Sequence, residues 1–196
     1  MTAVAINPMS KLYHRLRAVD LTKTYVRRML LPEWWDDAIA VNPAGFEEGL
    51  LYLSRHAGLD LATLRDSSRA VAFRQFGDCK FKLSKGVHPE SLTLARAMAT
   101  RAAQLAAEAM TEPIIPASKA GAIMRQEILG RGKPWVGFKE LLEYSWSLGI
   151  PVLHISGFPK KTRKPHGLTL KIKARPIIVL CVKHDAAAWL SFILAH

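Results

Sequence analysis

The residue types of this sequence come closest to metal chemistry at a histidine that follows an apolar run. The run Ala186–Ala195 is small or apolar except for one serine, and it leads into His196. On a helix, His196 lies about seven residues beyond Trp189 and therefore on nearly the same face. An imidazole is a good zinc ligand, and a Glu and a second His following on that face would form a water-activating zinc motif. The sequence holds only the first of these positions, so it predicts one metal ligand, His196, and no catalytic residue.

The other histidines and the cysteines do not extend this candidate site. His154, His166 and His184 lack the second imidazole, four residues away on a helix, that a paired ligand needs. Cys79 and Cys181 each lie in a strand-like run without a nearby second cysteine, which predicts buried, reduced thiols. Catalytic zinc takes three protein ligands and an open position. We therefore expect no bound cofactor and no zinc-dependent hydrolysis from these residues alone.

The charge of the chain indicates a polyanionic or acidic partner. Its 28 Lys and Arg residues outnumber 16 Asp and Glu residues, for a net charge of +12. Basic residues concentrate in 1–32 and 159–175, and such clusters suit contact with nucleic-acid phosphates as well as they suit a solvated basic face. The candidate nucleic-acid-binding residues are Arg15, Arg27, Arg28, Lys160, Lys161, Arg163 and Lys164.

The hydropathy pattern predicts a cytoplasmic protein without a membrane partner. The first residues do not combine a basic start with an apolar core, as a signal peptide does. No apolar stretch reaches the length of about 18 residues that a membrane span needs.

The N-terminal half reads as helical. Apolar positions at helical spacing predict one long helix over Lys11–Leu31. Asn42 and the proline after it predict a helix start, and the helix would run over 43–57 to a closing glycine. A short helix follows from Asp60, an order compatible with a DNA-reading helix-turn-helix whose readers would be Thr63 and Arg65. A generic helical hairpin is the favoured interpretation, because the second helix is short.

Three further segments complete this half. Trp34 and Trp35, which are followed by two acids, are interpreted as core anchors of a loop, because the carboxylates would repel phosphate. Residues 71–83 predict a short hairpin or an extended connection. The alanine-rich stretch 89–110 is a strong helix prediction, since alanine has the best helix propensity.

The pattern changes after the prolines of 113–116, which cannot continue a helix. We place a domain boundary there, with a helical domain over 1–112 and a second domain over 113–196. Helices are predicted near 118–129 and 137–148, strands near 150–155, 168–172 and 177–182, and a turn at 174–176. Asp185 is the predicted N-cap of the last helix. The predicted fold class is α+β, with a helical first half followed by a small, mainly antiparallel sheet packed with helices.

This order of elements, together with three phrases of sequence, resembles the ImmA/IrrE family of zinc metallopeptidases. The resemblance covers about residues 117–196, and a less specific match lies at 31–37. The phrases are Leu148-Gly149-Ile150-Pro151-Val152, Arg175-Pro176-Ile177-Ile178-Val179-Leu180 and Phe192-Ile193-Leu194-Ala195-His196.

The resemblance implies a truncated zincin-like domain over 113–196 that ends at the first His of the His-Glu-x-x-His motif. In that motif the two histidines bind zinc and the Glu polarises the attacking water, so only His196 carries a role over. Zinc would be the cofactor of the complete domain, and the substrate would be a helix-turn-helix repressor or an antitoxin. The alternative is a non-catalytic regulator that binds DNA or a protein through its basic surface.

Overall fold

The computed structural model describes residues 7–74, 79–82, 92–116, 120–160, 162–182 and 186–196, with Lys80 the one side chain described in 79–82. These residues combine helices with a four-stranded sheet, which confirms the predicted α+β class. In this part of the chain no helix is both long and apolar enough to cross a bilayer.

The described residues fall into two compact units. The first draws on 1–75, 92–101 and 158–163, and the second on 76–91, 102–157 and 164–196. The boundary predicted between residues 112 and 113 stays a prediction.

The first unit is helical. Its elements are α1 (Pro8–Arg17), α2 (Lys23–Tyr25) running into a π-helical turn (Val26–Leu30), a 3-10 turn (Asp37–Val41), α3 (Pro43–Ala57), α4 (Leu61–Arg65) and the first part of α5 (Thr93–Ala109). Their apolar faces meet in one core, whose fully buried leucines include Leu12, Leu16, Leu21, Leu50, Leu53, Leu59 and Leu64.

The prediction of one long helix over Lys11–Leu31 is wrong, because the chain leaves the helix after α1. Asp20 takes the left-handed conformation, with φ of 63°. The backbone N–H of Leu21 donates to the Leu16 carbonyl and that of Asp20 to the Arg17 carbonyl, both at 3.1 Å. This pair of bonds is a Schellman helix end, and the buried Leu21 and Leu16 supply its usual apolar contact.

The predicted helical hairpin after residue 42 is confirmed. Asn42 caps α3 by accepting a 2.9 Å hydrogen bond at Oδ1 from the Ala44 backbone N–H. Gly58 ends α3 with φ of 70°, where a residue without Cβ is favoured. Asp60 caps α4, which has five residues.

The two adjacent tryptophans have different environments. Trp35 is 4% exposed and belongs to the core, as predicted for a loop anchor. Trp34 is 59% exposed and packs edge-on against Tyr52, with ring centroids 6.2 Å apart. Gly49 makes room for Trp35, because a Cβ at residue 49 would lie 2.8 Å from the indole Cη2.

The second unit joins helices to the sheet. Its elements are β1 (Cys79–Lys82), the second part of α5, α6 (Gly121–Gly130), α7 (Phe138–Ser147), β2 (Val152–His154), β3 (Gly167–Ile172), β4 (Arg175–Leu180) and α8 (Ala187–Ala195). The described residues leave out 75–78, 83–91, 117–119 and 183–185. The hairpin predicted over 71–83 and the helix predicted over 89–110 are therefore covered only in part. The predicted cap at Asp185 lies outside the described residues.

The sheet has the order β1-β3-β4-β2. The β1–β3 and β3–β4 pairs are antiparallel, whereas β2 pairs with β4 in parallel. The predicted mainly antiparallel sheet is therefore confirmed. One core lies between α6, α7, α8 and the sheet, and it includes Ile128, Leu141, Tyr144 and Leu194.

The turn between β3 and β4 lies one residue earlier than predicted. Ile172 pairs with Arg175, so Lys173 and Ala174 alone form the turn, with φ of 47° and 71°. Two left-handed residues in a two-residue hairpin loop define a type I′ turn, which usually carries Asn-Gly. Pro176 lies within β4, beyond the part of that strand that pairs with β2.

Candidate functional site around His196

Helix α8 lies directly on the sheet through two buried side chains. Ile193 and Leu194 are 6% and 8% exposed. The close approach depends on Gly167, the first residue of β3. A Cβ on Gly167 would lie 2.9 Å from Ile193 Cγ2 and 3.5 Å from the Val179 carbonyl oxygen.

A cavity of about 270 Å³ opens beside this contact. His196 borders it at the end of α8, and Lys80 borders it from the edge strand β1. A histidine at the end of α8 and a lysine of β1 thus both contribute to the lining of the cavity. The other described residues that line it are Gly167, Leu168, Thr169, Ile178, Leu180, Ile193 and Leu194.

His196 also closes a row of rings along the exposed side of α8. The His166 ring meets Trp189 edge-on at 5.5 Å, Trp189 stacks on Phe192 at 5.5 Å, and Phe192 lies 6.2 Å from His196. Trp189 and His196 therefore share a helix face, as their spacing predicts. We call these four side chains the α8 ring row.

The described residues do not by themselves form a zinc site. Among them, no group of three or more His, Cys, Asp or Glu side chains converges as a metal would require. His154 donates a hydrogen bond of 2.7 Å through Nε2 to the Val182 carbonyl oxygen, and His166 packs on Trp189. Cys181 is buried, while His184 and the Cys79 side chain lie outside the described residues. His196 remains the one candidate ligand on α8.

Arg15, a candidate for phosphate contact, is engaged inside the first unit. Its guanidinium donates to the carbonyl oxygens of Thr63, Leu64, Asp66 and Arg69. These carbonyls lie at and just after the C-terminal end of α4, where helix carbonyls lack intrahelical partners. Arg15 therefore acts as a C-terminal cap supplied from α1.

Arg27 and Arg28, the other candidates in the basic cluster of residues 1–32, have different environments. Arg27 donates to the Trp35 carbonyl oxygen at 3.3 Å and lies 3.8 Å from an Asp37 carboxylate oxygen. Arg28 is exposed on the π-helical turn.

The candidates in the basic cluster of residues 159–175 belong to the segment of sequence between β2 and β3. Lys160 and Arg163 are exposed, Lys164 is half-buried, and Lys161 lies outside the described residues. Arg175, another basic residue of this region, donates to the Gly149 carbonyl oxygen at 2.5 Å and to the Glu112 carbonyl oxygen. The basic residues of the sequence are thus divided between internal hydrogen bonds and an exposed charged surface.

The candidate base readers of a helix-turn-helix are also engaged. Thr63 is 3% exposed, donates through Oγ1 to the Asp60 carbonyl oxygen and accepts from the Ala72 backbone N–H. Arg65 forms an ion pair with Glu47. These contacts support the generic hairpin over a reading helix.

Sequence reasoning missed Gly167 and Lys80 at the cavity. A glycine that opens an alternating strand is a local signal for close approach of another element, so Gly167 could have been suspected. Lys80 carries no such signal, because the pairing of β1 with β3 joins distant parts of the chain.

Comparison of the chain with protein-family models, curated proteins and solved structures finds no match. The structure thus defines an α+β protein with a cavity beside a helix-terminal histidine, and its function is a matter for proposal.

Proposed function

We propose that the second unit belongs to a zinc-dependent endopeptidase domain in which His196 is the first metal ligand. The observation that carries the proposal is the placement of His196, on a helix packed closely on β3 through Gly167, at the border of a cavity. The resemblance of residues 117–196 to the ImmA/IrrE family supports it. In this proposal the protein acts in the cytoplasm.

The proposal sets a condition on the other ligands. Catalytic zinc needs three protein ligands, and the described residues bring only one candidate imidazole to the cavity. The remaining ligands and the general base would therefore be supplied from outside the described residues. The described residues alone are expected to be inactive, because no Asp or Glu among them lines the cavity to accept a proton from water.

The substrate in this proposal is a helix-turn-helix repressor or an antitoxin. β1 is an edge strand of the described sheet, and its Lys80 borders the same cavity as His196. An edge strand presents unpaired N–H and C=O groups, to which an extended peptide can add as another strand. An extended segment of the repressor paired along β1 would thereby lie beside His196.

Cleavage by the protein made from its complete open reading frame tests the proposal. Purified helix-turn-helix repressors encoded near the gene are incubated with the protein, and fragments are identified by mass spectrometry. We expect cleavage at one site, its loss in His196→Ala and its loss with a zinc chelator. His14→Ala is the matched control, since His14 is exposed on α1 in the other unit. Cleavage that survives His196→Ala, or no cleavage at all, would contradict the proposal.

A second function is favoured by the exposed basic residues. Arg28, Lys160 and Arg163 are exposed on a protein of net charge +12, which suits a regulator that holds DNA or an acidic protein. DNA binding through phosphates falls steeply as salt rises. The double variant Lys160→Gln with Arg163→Gln is expected to bind a DNA duplex more weakly. Its affinity should also fall less steeply as salt rises. If the protein does not bind DNA at low salt, the proposal that it is a DNA-binding regulator is rejected. Binding to one repressor that does not change with salt would favour the peptidase proposal.

A further inference from the structure

A second cavity, in the first unit, has an arginine-rich lining. It measures about 230 Å³ and lies between α3, α4, residue 74 and the first part of α5. We call it the arginine pocket. Within the described part of the chain, its lining consists of Leu51, Ser54, Arg55, Leu61, Arg74 and Arg101.

The charged residues known to line this pocket are all basic. Three of the six lining residues in the described part of the chain are arginines, and none of those six is Asp or Glu. The two acids of α3 have other partners: Glu47 pairs with Arg65, and Glu48 accepts a 3.2 Å hydrogen bond from the Tyr52 hydroxyl. The pocket therefore concentrates positive potential in a concave site.

A partly buried hydrogen bond to a buried serine holds one of these guanidinium groups, that of Arg74. Ser54 is 2% exposed, and its Oγ donates to the Leu59 carbonyl oxygen at 2.8 Å. The same Oγ accepts from Arg74 Nη2 at 2.5 Å. The Arg74 backbone N–H donates to the Gly58 carbonyl oxygen at 2.9 Å, so both backbone and side chain of Arg74 are fixed. A fixed guanidinium loses less conformational entropy when it binds an anion.

We propose that the arginine pocket binds the phosphoryl group of inorganic phosphate or of a small phosphomonoester. Guanidinium groups pair with phosphate oxygens in a bidentate manner, and a phosphomonoester carries a charge of about −1.5 to −2 near neutral pH. The pocket, at about 230 Å³, is below the range of about 300–1,000 Å³ of small-molecule sites. It fits one compact anionic group rather than a whole nucleotide.

The shape of the pocket favours this ligand over a DNA backbone. Duplex phosphates lie in a row and are bound by basic residues spread along a surface. Here three arginines line one concavity instead, and Arg15 and Arg27 of the same unit donate to internal carbonyl oxygens.

Calorimetric titration of the full chain with inorganic phosphate and with glucose 6-phosphate, at constant ionic strength, tests the proposal. We expect saturable binding of one anion per chain. Arg55→Gln and Arg74→Gln should each weaken binding by about tenfold or more, because each removes a charged hydrogen-bond donor. Arg17→Gln is the matched control, since Arg17 is exposed on α1, and it should leave the affinity unchanged. Circular dichroism confirms that each variant is folded.

The outcomes separate the ligand sources and the two proposals. Equal affinity for the two probes indicates free phosphate, and tighter binding of glucose 6-phosphate indicates a phosphorylated metabolite. The inference is overturned if neither probe binds, or if Arg17→Gln weakens binding as much as Arg55→Gln and Arg74→Gln do. It is also overturned if Arg55→Gln loses binding to a DNA duplex while phosphate does not bind at all. The result is independent of the peptidase proposal, because His196→Ala should leave phosphate binding intact.

Discussion

Replacement of Arg15 by methionine should destabilise the first unit, although Arg15 stands in a basic cluster. The substitution keeps much of the apolar stem and removes the guanidinium that serves four carbonyl oxygens. The bonds to Thr63 and Leu64 are partly buried, whereas those to Asp66 and Arg69 are exposed and can be replaced by water. A hydrogen bond to a charged group contributes about 1.5–3 kcal/mol. Because water replaces the two exposed bonds and also reaches the two partly buried ones, we expect a loss of about 2–3 kcal/mol in the free energy of unfolding, less than two full bonds would give.

Thermal and urea denaturation followed by circular dichroism measures this loss. For a chain of this length, each kcal/mol shifts Tm by about 2–4 °C, so Arg15→Met should lower Tm by about 4–12 °C. Hydrogen exchange should also quicken at the amides of α4, whose C-terminal cap is removed. Arg28→Met is the matched control, since Arg28 is exposed and its replacement should change stability by less than about 0.5 kcal/mol. If Arg15→Met and Arg28→Met were equally stable, the capping role of Arg15 would be refuted.

Three further predictions concern backbone conformation and a buried phenol. Gly149→Ala should cost about 2–4 kcal/mol in unfolding free energy, because φ is +72° and the new Cβ would lie 2.4 Å from the Pro113 carbonyl oxygen; an unchanged urea midpoint would count against this. Lys173→Asn with Ala174→Gly should stabilise the β3–β4 turn and raise Tm, because Asn-Gly suits the type I′ conformation; a lower Tm would contradict that assignment. Burial raises the pKa of Tyr25 from 10.0 to about 12. The folded protein therefore favours the neutral phenol, and this stabilisation is complete below about pH 10 and is lost as the pH rises toward 12. Tyr25→Phe should reduce the fall in the free energy of unfolding over this alkaline range. If the fall with pH were the same in the variant, Tyr25 would not be its cause.

Local signals account for the elements that the sequence predicts well. The cap at Asn42 and the glycine at 58 act on the residues next to them, so the bounds of α3 follow from a short stretch of sequence. The alternation of apolar and polar residues in β3 likewise depends only on the strand itself. The same reasoning misplaced the β3–β4 turn, because Lys173 and Ala174 adopt positive φ without the residue types that usually mark it.

Non-local contacts account for what the sequence did not predict. The predicted long N-terminal helix breaks at Asp20, where burial of Leu21 in the tertiary core accompanies a left-handed residue that the helical periodicity does not show. Arg15 finds its carbonyl partners 48 to 54 residues along the chain, so its charge alone indicated phosphate binding. The approach of α8 to Gly167 is also a contact between distant parts of the sequence, which a local pattern does not show. His196 could be singled out because its signal, an apolar run entering a histidine, is contained in one helix.

The zinc content of the protein made from its complete open reading frame is the most direct test of His196 as a metal ligand. Inductively coupled plasma mass spectrometry on the purified protein gives zinc per chain for the wild type, His196→Ala and the control His14→Ala. We predict one zinc per chain in the wild type and the control, with loss of zinc in His196→Ala. Wild-type protein without zinc, or His196→Ala protein that retains it, would contradict the assignment.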